Sequence, residues 1–144
     1  MFKHILVPTD GSDITAKAIA AAIALAKSVG AELHTISAKE PFPYSAISEM
    51  QPTPPQEFFD AQERIASQRV AAVVALCETA GVPCHAHTVE ALHPWEAIIE
   101  HARRMECDLI VMASHGRRGV SALLLGSETQ KVLTHSKVPV LIVR

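Results

Sequence analysis

Two glycine-bearing segments of this chain have the residue types and spacing of an anion site. The first, Pro8-Thr9-Asp10-Gly11-Ser12, follows the apolar run Ile5-Leu6-Val7. The second opens with Ala113-Ser114-His115-Gly116 after the apolar stretch Leu109 to Met112, and continues through nine residues to Gly126-Ser127. Glycine lets backbone N–H groups approach a ligand closely, and a helix opening after such a loop adds unpaired donors and a positive dipole end.

Each candidate residue has two readings. Ser127 stands three residues before Gln130, the spacing of a capping box, so it reads as a helix cap. The backbone donors of Glu128 and Thr129 can still face a phosphate, so capping and anion binding are compatible. Asp10 reads as an ordinary turn or cap residue, or as a carboxylate meeting ribose hydroxyls or a phosphate-held metal. Mg²⁺ takes one or two carboxylates plus phosphate oxygens and waters, so a single Asp suffices. Arg117 and Arg118 read as solvated loop charges or as contacts to a terminal phosphate.

Other chemistry is harder to assemble. His85 and His87 alternate and share one face of a strand, but no third or fourth metal ligand stands at matching spacing. His115 lies among small residues without a partner acid. No serine has the G-x-S-x-G context, and the Walker A pattern is absent. The residues therefore nominate no catalytic group.

The elements that must position these residues alternate strand and helix. Lys3 to Val7, Leu33 to Ala38, Cys84 to Val89, Asp108 to Met112 and Val138 to Val143 read as strands. Ser12 reads as the N-cap of a helix with Ile14, Ala18, Ala22, Leu25 and Val29 on its inner face, ended by Gly30. Residues 39 to 56 hold five prolines and read as an irregular loop. A long helix, Gln56 to Ala80, follows, with Phe59, Ile65, Val70, Val73 and Leu76 expected inside and Gly81 and Pro83 stopping it. Pro94 starts a third helix at its first position after His93, and a fourth begins at Ser127. This alternation predicts a parallel sheet covered on both faces, with the ligand beyond the carboxyl ends of the strands where strand order reverses.

At 144 residues the chain suits one domain, 1–144, with a real core. Hydrophobic residues make up 49% and charged residues 19%, and the net charge of −2 weighs against a broad basic face for nucleic acid. No apolar run approaches the ~20 residues of a membrane span, and the start reads as too short for a signal peptide. Cys77, Cys84 and Cys107 show no CxxC spacing and read as buried thiols in a reducing cytoplasm.

The chain resembles the universal stress protein family. The likeness rests on Ile5 to Ser12, Cys107 to Gly116, Gly126-Ser127 and Val138 to Val143, in one order and length. It implies an α/β, Rossmann-like three-layer sandwich with five parallel strands in order 3-2-1-4-5. ATP-binding members carry Gly-x-x-Gly, nine residues, then Gly-Ser or Gly-Thr. Gly116, Gly126 and Ser127 match, while Ala113 replaces the first glycine and Leu92 is a second departure, at the mouth. By this resemblance ATP, with or without Mg²⁺, is met by Pro8, Thr9, Asp10, Ala38, Met112, Ala113, His115, Gly116, Arg117, Gly119, Gly126, Ser127, Glu128 and Thr129. Asp10 would contact the ribose or the metal, and the backbone of Ala38 the adenine. The resemblance further implies a cytoplasmic stress-response module that dimerises through Val138–Val143, with at most slow ATP hydrolysis. The alternative is a member without nucleotide that acts through protein–protein interaction.

Overall fold

Apolar runs bounded by glycine and proline become strands, and the amphipathic stretches between them become helices. The computed structural model describes residues 1–43, 55–116 and 124–144. Its elements are β1 (His4–Pro8), α1 (Asp13–Val29), β2 (Glu32–Lys39), α2 (Gln56–Ala80), β3 (Cys84–Glu90), α3 (Pro94–Arg104), β4 (Leu109–Ala113), α4 (Ser127–His135) and β5 (Val140–Val143). All five strands are parallel and ordered β3-β2-β1-β4-β5, with helices on both faces. The expected strand order is therefore the observed one.

Alternation along the central strands sends side chains to two cores. Ile5, Val7, Leu33, Leu109, Val111 and Ala113 pack with Ala18, Ala22, Ala26, Val73 and Cys77 of α1 and α2. Leu6, Ile36, Ile110 and Met112 pack with Ile98, Ala102 and Val132 of α3 and α4. Strands buried on both faces need continuous apolar runs, which β1 and β4 have.

The helix faces match the sequence expectation at Ala18, Ala22, Val70 and Val73, which are buried, and depart from it at Val29, Ile65 and Leu76, which are exposed. In α1 the buried residues are Thr15, Ala18, Ile19, Ala22 and Ala26, while Val29 is exposed. In α2 they are Ala66, Val70, Val73 and Cys77, and Leu76 is 53% exposed. Alanines and Cys77 fill these seams beside Ile19, Val70 and Val73, and let the helices lie close to the sheet. The exposed Val29, Ile65 and Leu76 mark the wrong stripe. The last strand also starts later than expected, at Val140. Ser136 Oγ donates to Val138 O at 2.7 Å and accepts from Val138 N at 3.1 Å, which holds that residue in a turn.

Local signals fix the element ends. Ser12 Oγ accepts from Thr15 N and caps α1, and Gly30 closes it at φ 72°. Gly81 closes α2 at φ 73°, a left-handed conformation that glycine adopts without a Cβ clash.

Candidate functional site

The strand order reverses between β1 and β4, so the loops after these strands share the crevice where ligands bind in open parallel sheets. The β1 loop is tied down first. Buried Thr9 donates its N–H to Ile36 O at 3.0 Å, and its hydroxyl oxygen accepts from Gly11 N at 3.2 Å. Gly11 turns at φ 78°, in the left-handed region. This turn places Asp10 at the start of α1, where its Oδ1 accepts from Ser12 N at 2.9 Å and Thr15 Oγ1 at 2.7 Å. A carboxylate is favoured there by the unpaired N–H groups and positive end of the helix.

The other carboxylate oxygen faces the second loop. A Cβ built on Gly116 would lie 2.6 Å from Asp10 Oδ2, so that the carboxylate would have to move for any larger residue. The two segments singled out in the sequence therefore meet at a point where a side chain on residue 116 would displace the Asp10 carboxylate. Beside them a groove of about 510 Å³ is lined by Asp10, Gly11, Ser12, Asp13, Ile65, Gln68 and Arg69. Arg69 of α2 lies across Gly11, its Nε 3.2 Å from where a Cβ would stand. Nothing in the spacing along α2 marks Arg69, because only the packing of α2 beside the β1 loop brings it here.

At the end of β4, Met112 and Ala113 point into opposite cores. Any contact they make in the crevice is through backbone. The Ala113 methyl packs on the α1 side, and Glu106 is the one non-glycine with positive φ among the described residues. The alanine therefore sits in ordinary strand backbone. Its carbonyl accepts from the buried Thr129 hydroxyl at 3.0 Å. Ser114 N donates to Val143 O at 2.9 Å, and Gly126 N donates to Ser114 O at 2.7 Å. A Cβ on Gly126 would come within 3.1 Å of His115 Cα, so the loop ends are pinned backbone to backbone. Half-buried His115 keeps its Nδ1 3.2 Å from Ser114 Oγ.

The opening of α4 departs from the capping-box reading. Gly126 is the N-cap and makes no side-chain cap, Ser127 is the exposed first helical residue, and the Gln130 amide reaches back to Leu125 O at 2.9 Å. With the cap one position earlier, the serine hydroxyl cannot close the box. Glu128 is engaged elsewhere, since its Oε2 accepts from Trp95 N at 2.8 Å and caps the first turn of α3. What α4 offers an anion is the N–H row of its first turn, which an α-helix leaves without internal partners.

Of the remaining candidates, Pro8 ends β1 paired with Ile36, and Ala38 lies two residues further along β2 at the same sheet end. Arg117, Arg118, Gly119 and most of the proline-rich loop lie outside the described residues. Leu92 follows β3 and is 73% exposed, directed to solvent. The cysteines are free, and burial pushes Cys84 and Cys107 up to about 12, which keeps both as thiols.

The fold and crevice define a class, the Rossmann-like domains that take a ligand at the switch point of a parallel sheet. The sequence matches the universal stress protein family over residues 1–144, and the chain belongs to that family. It is 37% identical over 145 residues to the universal stress protein in the QAH/OAS sulfhydrylase 3′ region of Thermus aquaticus, covering 100% of both chains. Its structure is similar to that of the protein MJ0577, with a TM-score of 0.84, 26% identity and coverage of 99% of this chain and 96% of the other. It is also similar to a universal stress protein solved in complex with cAMP, with a TM-score of 0.73, 25% identity and coverage of 99% and 97%. Among the described residues, no helix is long and apolar enough to cross a membrane.

Proposed function

We propose that this protein is an ATP-binding, homodimeric regulatory module of the stress response, with at most slow hydrolysis. The observation that carries the reading is the contact of Gly116 with the Asp10 carboxylate across the β1–β4 switch point. Adenine would lie on the backbone of Ala38, beside Pro8 and Thr9. The ribose would meet Asp10 Oδ2, the carboxylate oxygen that faces the crevice. The phosphates would run along the backbone of Met112, Ala113, His115 and Gly116 to the first turn of α4, at Ser127, Glu128 and Thr129. Gly126 supplies space there, since its N–H is already given to Ser114. Arg117 and Gly119, which the family resemblance assigns to the phosphates, lie outside the described residues. Mg²⁺, where it accompanies ATP, would be held by phosphate oxygens and Asp10.

Ala113 supports this reading because its methyl points into the core and leaves the crevice open. Dimerisation would use β5, an apolar edge strand whose Leu141 is 44% exposed, since such an edge is a template for pairing. The deciding measurement is equilibrium binding of ATP with and without Mg²⁺. Saturable binding is expected. Its absence at millimolar nucleotide, with no melting shift, leaves the protein-interaction alternative.

A further inference from the structure

The opposite end of the sheet gathers side chains that the nucleotide reading does not use. Register pairs His4 of β1 with Glu32 of β2, and His34 of β2 with His85 of β3. Glu32 and His34 are two apart on one strand, so all four lie on one face. His4 Nδ1 lies 3.2 Å from His34 Nε2 and 3.6 Å from Glu32 Oε2. One ligand atom each from His4, Glu32 and His34 falls within 4.8 Å of the others. His85 Nε2 stands 3.3 Å from the same Glu32 oxygen, and its ring is 4.9 Å from that of His34.

We propose that His4, Glu32 and His34 form a binding site for a divalent transition-metal ion of the zinc class, with His85 holding the carboxylate in place. Zinc–nitrogen and zinc–oxygen bonds of about 2.0–2.2 Å put tetrahedral ligands roughly 3.3 Å apart, close to the 3.2 and 3.6 Å that separate His4 from His34 and from Glu32. Two imidazoles and a carboxylate suit such an ion, and a water completes the shell. A histidine–histidine hydrogen bond alone explains the contact between His4 and His34. It does not explain why a carboxylate and a third imidazole converge on the pair.

The surroundings of His34 favour its neutral form. His34 is 6% exposed, and its pKa is lowered to about 4 by burial and then by its neighbours His85, His4 and His101. His87 of β3 and His101 and Arg104 of α3 are the further charged or titratable groups near this face. His85 acts on the metal only through Glu32, as outer-shell partners do.

The test uses untagged, metal-free protein at neutral pH, titrated with Zn²⁺ by calorimetry and with Co²⁺ by visible absorption. Equimolar, saturable Zn²⁺ binding is expected, with Co²⁺ bands of nitrogen and oxygen ligation and no thiolate charge-transfer band. His4→Gln and Glu32→Gln, both at half-exposed positions, should each weaken Zn²⁺ by at least about tenfold, and His85→Gln by about tenfold. His87→Gln, whose ring packs on His101, should bind as the parent does. The proposal is overturned by Zn²⁺ affinity weaker than the order of 100 μM, by a thiolate band, or by unchanged affinity in both ligand variants.

Discussion

On the readings proposed above, the two ends of this sheet would take opposite charges by opposite means. At the carboxyl end two loops meet, and the chemistry offered is mostly backbone: the first-turn N–H groups of α4, the space at Gly116 and one carboxylate held by Ser12 and Thr15. At the amino end no loop is needed, because His4, Glu32, His34 and His85 stand directly on three neighbouring strands. Chain polarity explains part of the difference. Strands in a parallel sheet run toward the positive N-termini of the following helices and start near the negative C-termini of the preceding ones. Anions suit the first end and cations the second.

The largest expected effect separates the ends. Gly116→Val would drive a branched side chain into Asp10 Oδ2, 2.6 Å from the Cβ position. ATP affinity should fall by at least about 100-fold, about 2.7 kcal/mol, while Zn²⁺ binding stays unchanged. Calorimetric titration of both ligands on one preparation checks this, and loss of both would join the two ends into one unit. Thr129→Val comes next. It removes the buried hydroxyl that donates to Ala113 O, and leaving that carbonyl unpaired should cost about 1–3 kcal/mol. Urea unfolding reads that loss, and an unchanged midpoint would show that the carbonyl finds another donor.

The same contrast decides what was legible in the sequence. The carboxyl-end site is local: Asp10 follows its strand at once, and Gly116, Gly126 and Ser127 stand at fixed distances along the chain. The parallel sheet was legible because apolar runs and helix signals alternate, and its strand order came from the resemblance to one family. Contiguous motifs survive translation into three dimensions with only small corrections, such as the cap moving from Ser127 to Gly126. The amino-end cluster was not legible. Its members are distant in sequence, and His85 and His87 lacked partners at any spacing because β1 and β2 supply the other ligand residues through register. Arg69 escaped for a related reason, since helix packing rather than spacing lays it over Gly11. The inner faces of α1 and α2 were legible at Ala18, Ala22, Val70 and Val73, while Ala26, Ala66 and Cys77 escaped because small side chains give a weak periodic signal.

Two smaller effects sharpen the contrast. Ala113→Gly would restore the family motif, yet the methyl lies in the core and the backbone needs no positive φ. ATP affinity should change by less than about threefold, and stability should fall by about 0.5–1 kcal/mol from the added chain entropy. A large gain in affinity would show that the methyl does meet the nucleotide.

The smallest effect at neutral pH belongs to the histidine face. His101 on α3 is buried, and its pKa is lowered from 6.5 by burial first, then by His87 and Arg104. In the unfolded chain the ring titrates at its ordinary value. Below that value the unfolded state takes up a proton that the folded state refuses, so stability falls as pH drops through about 6.5 toward the lower folded value. Among the described residues His101 Nε2 has no hydrogen-bond partner, so His101→Leu should cost little at neutral pH. In acid this substitution removes one proton that unfolding would otherwise take up, and its stability profile should be flatter than the parent's. The titration of His34 is common to both proteins and largely cancels in the difference. Urea midpoints from pH 7.5 down to 5 test this, and parallel profiles would assign the acid sensitivity to other groups.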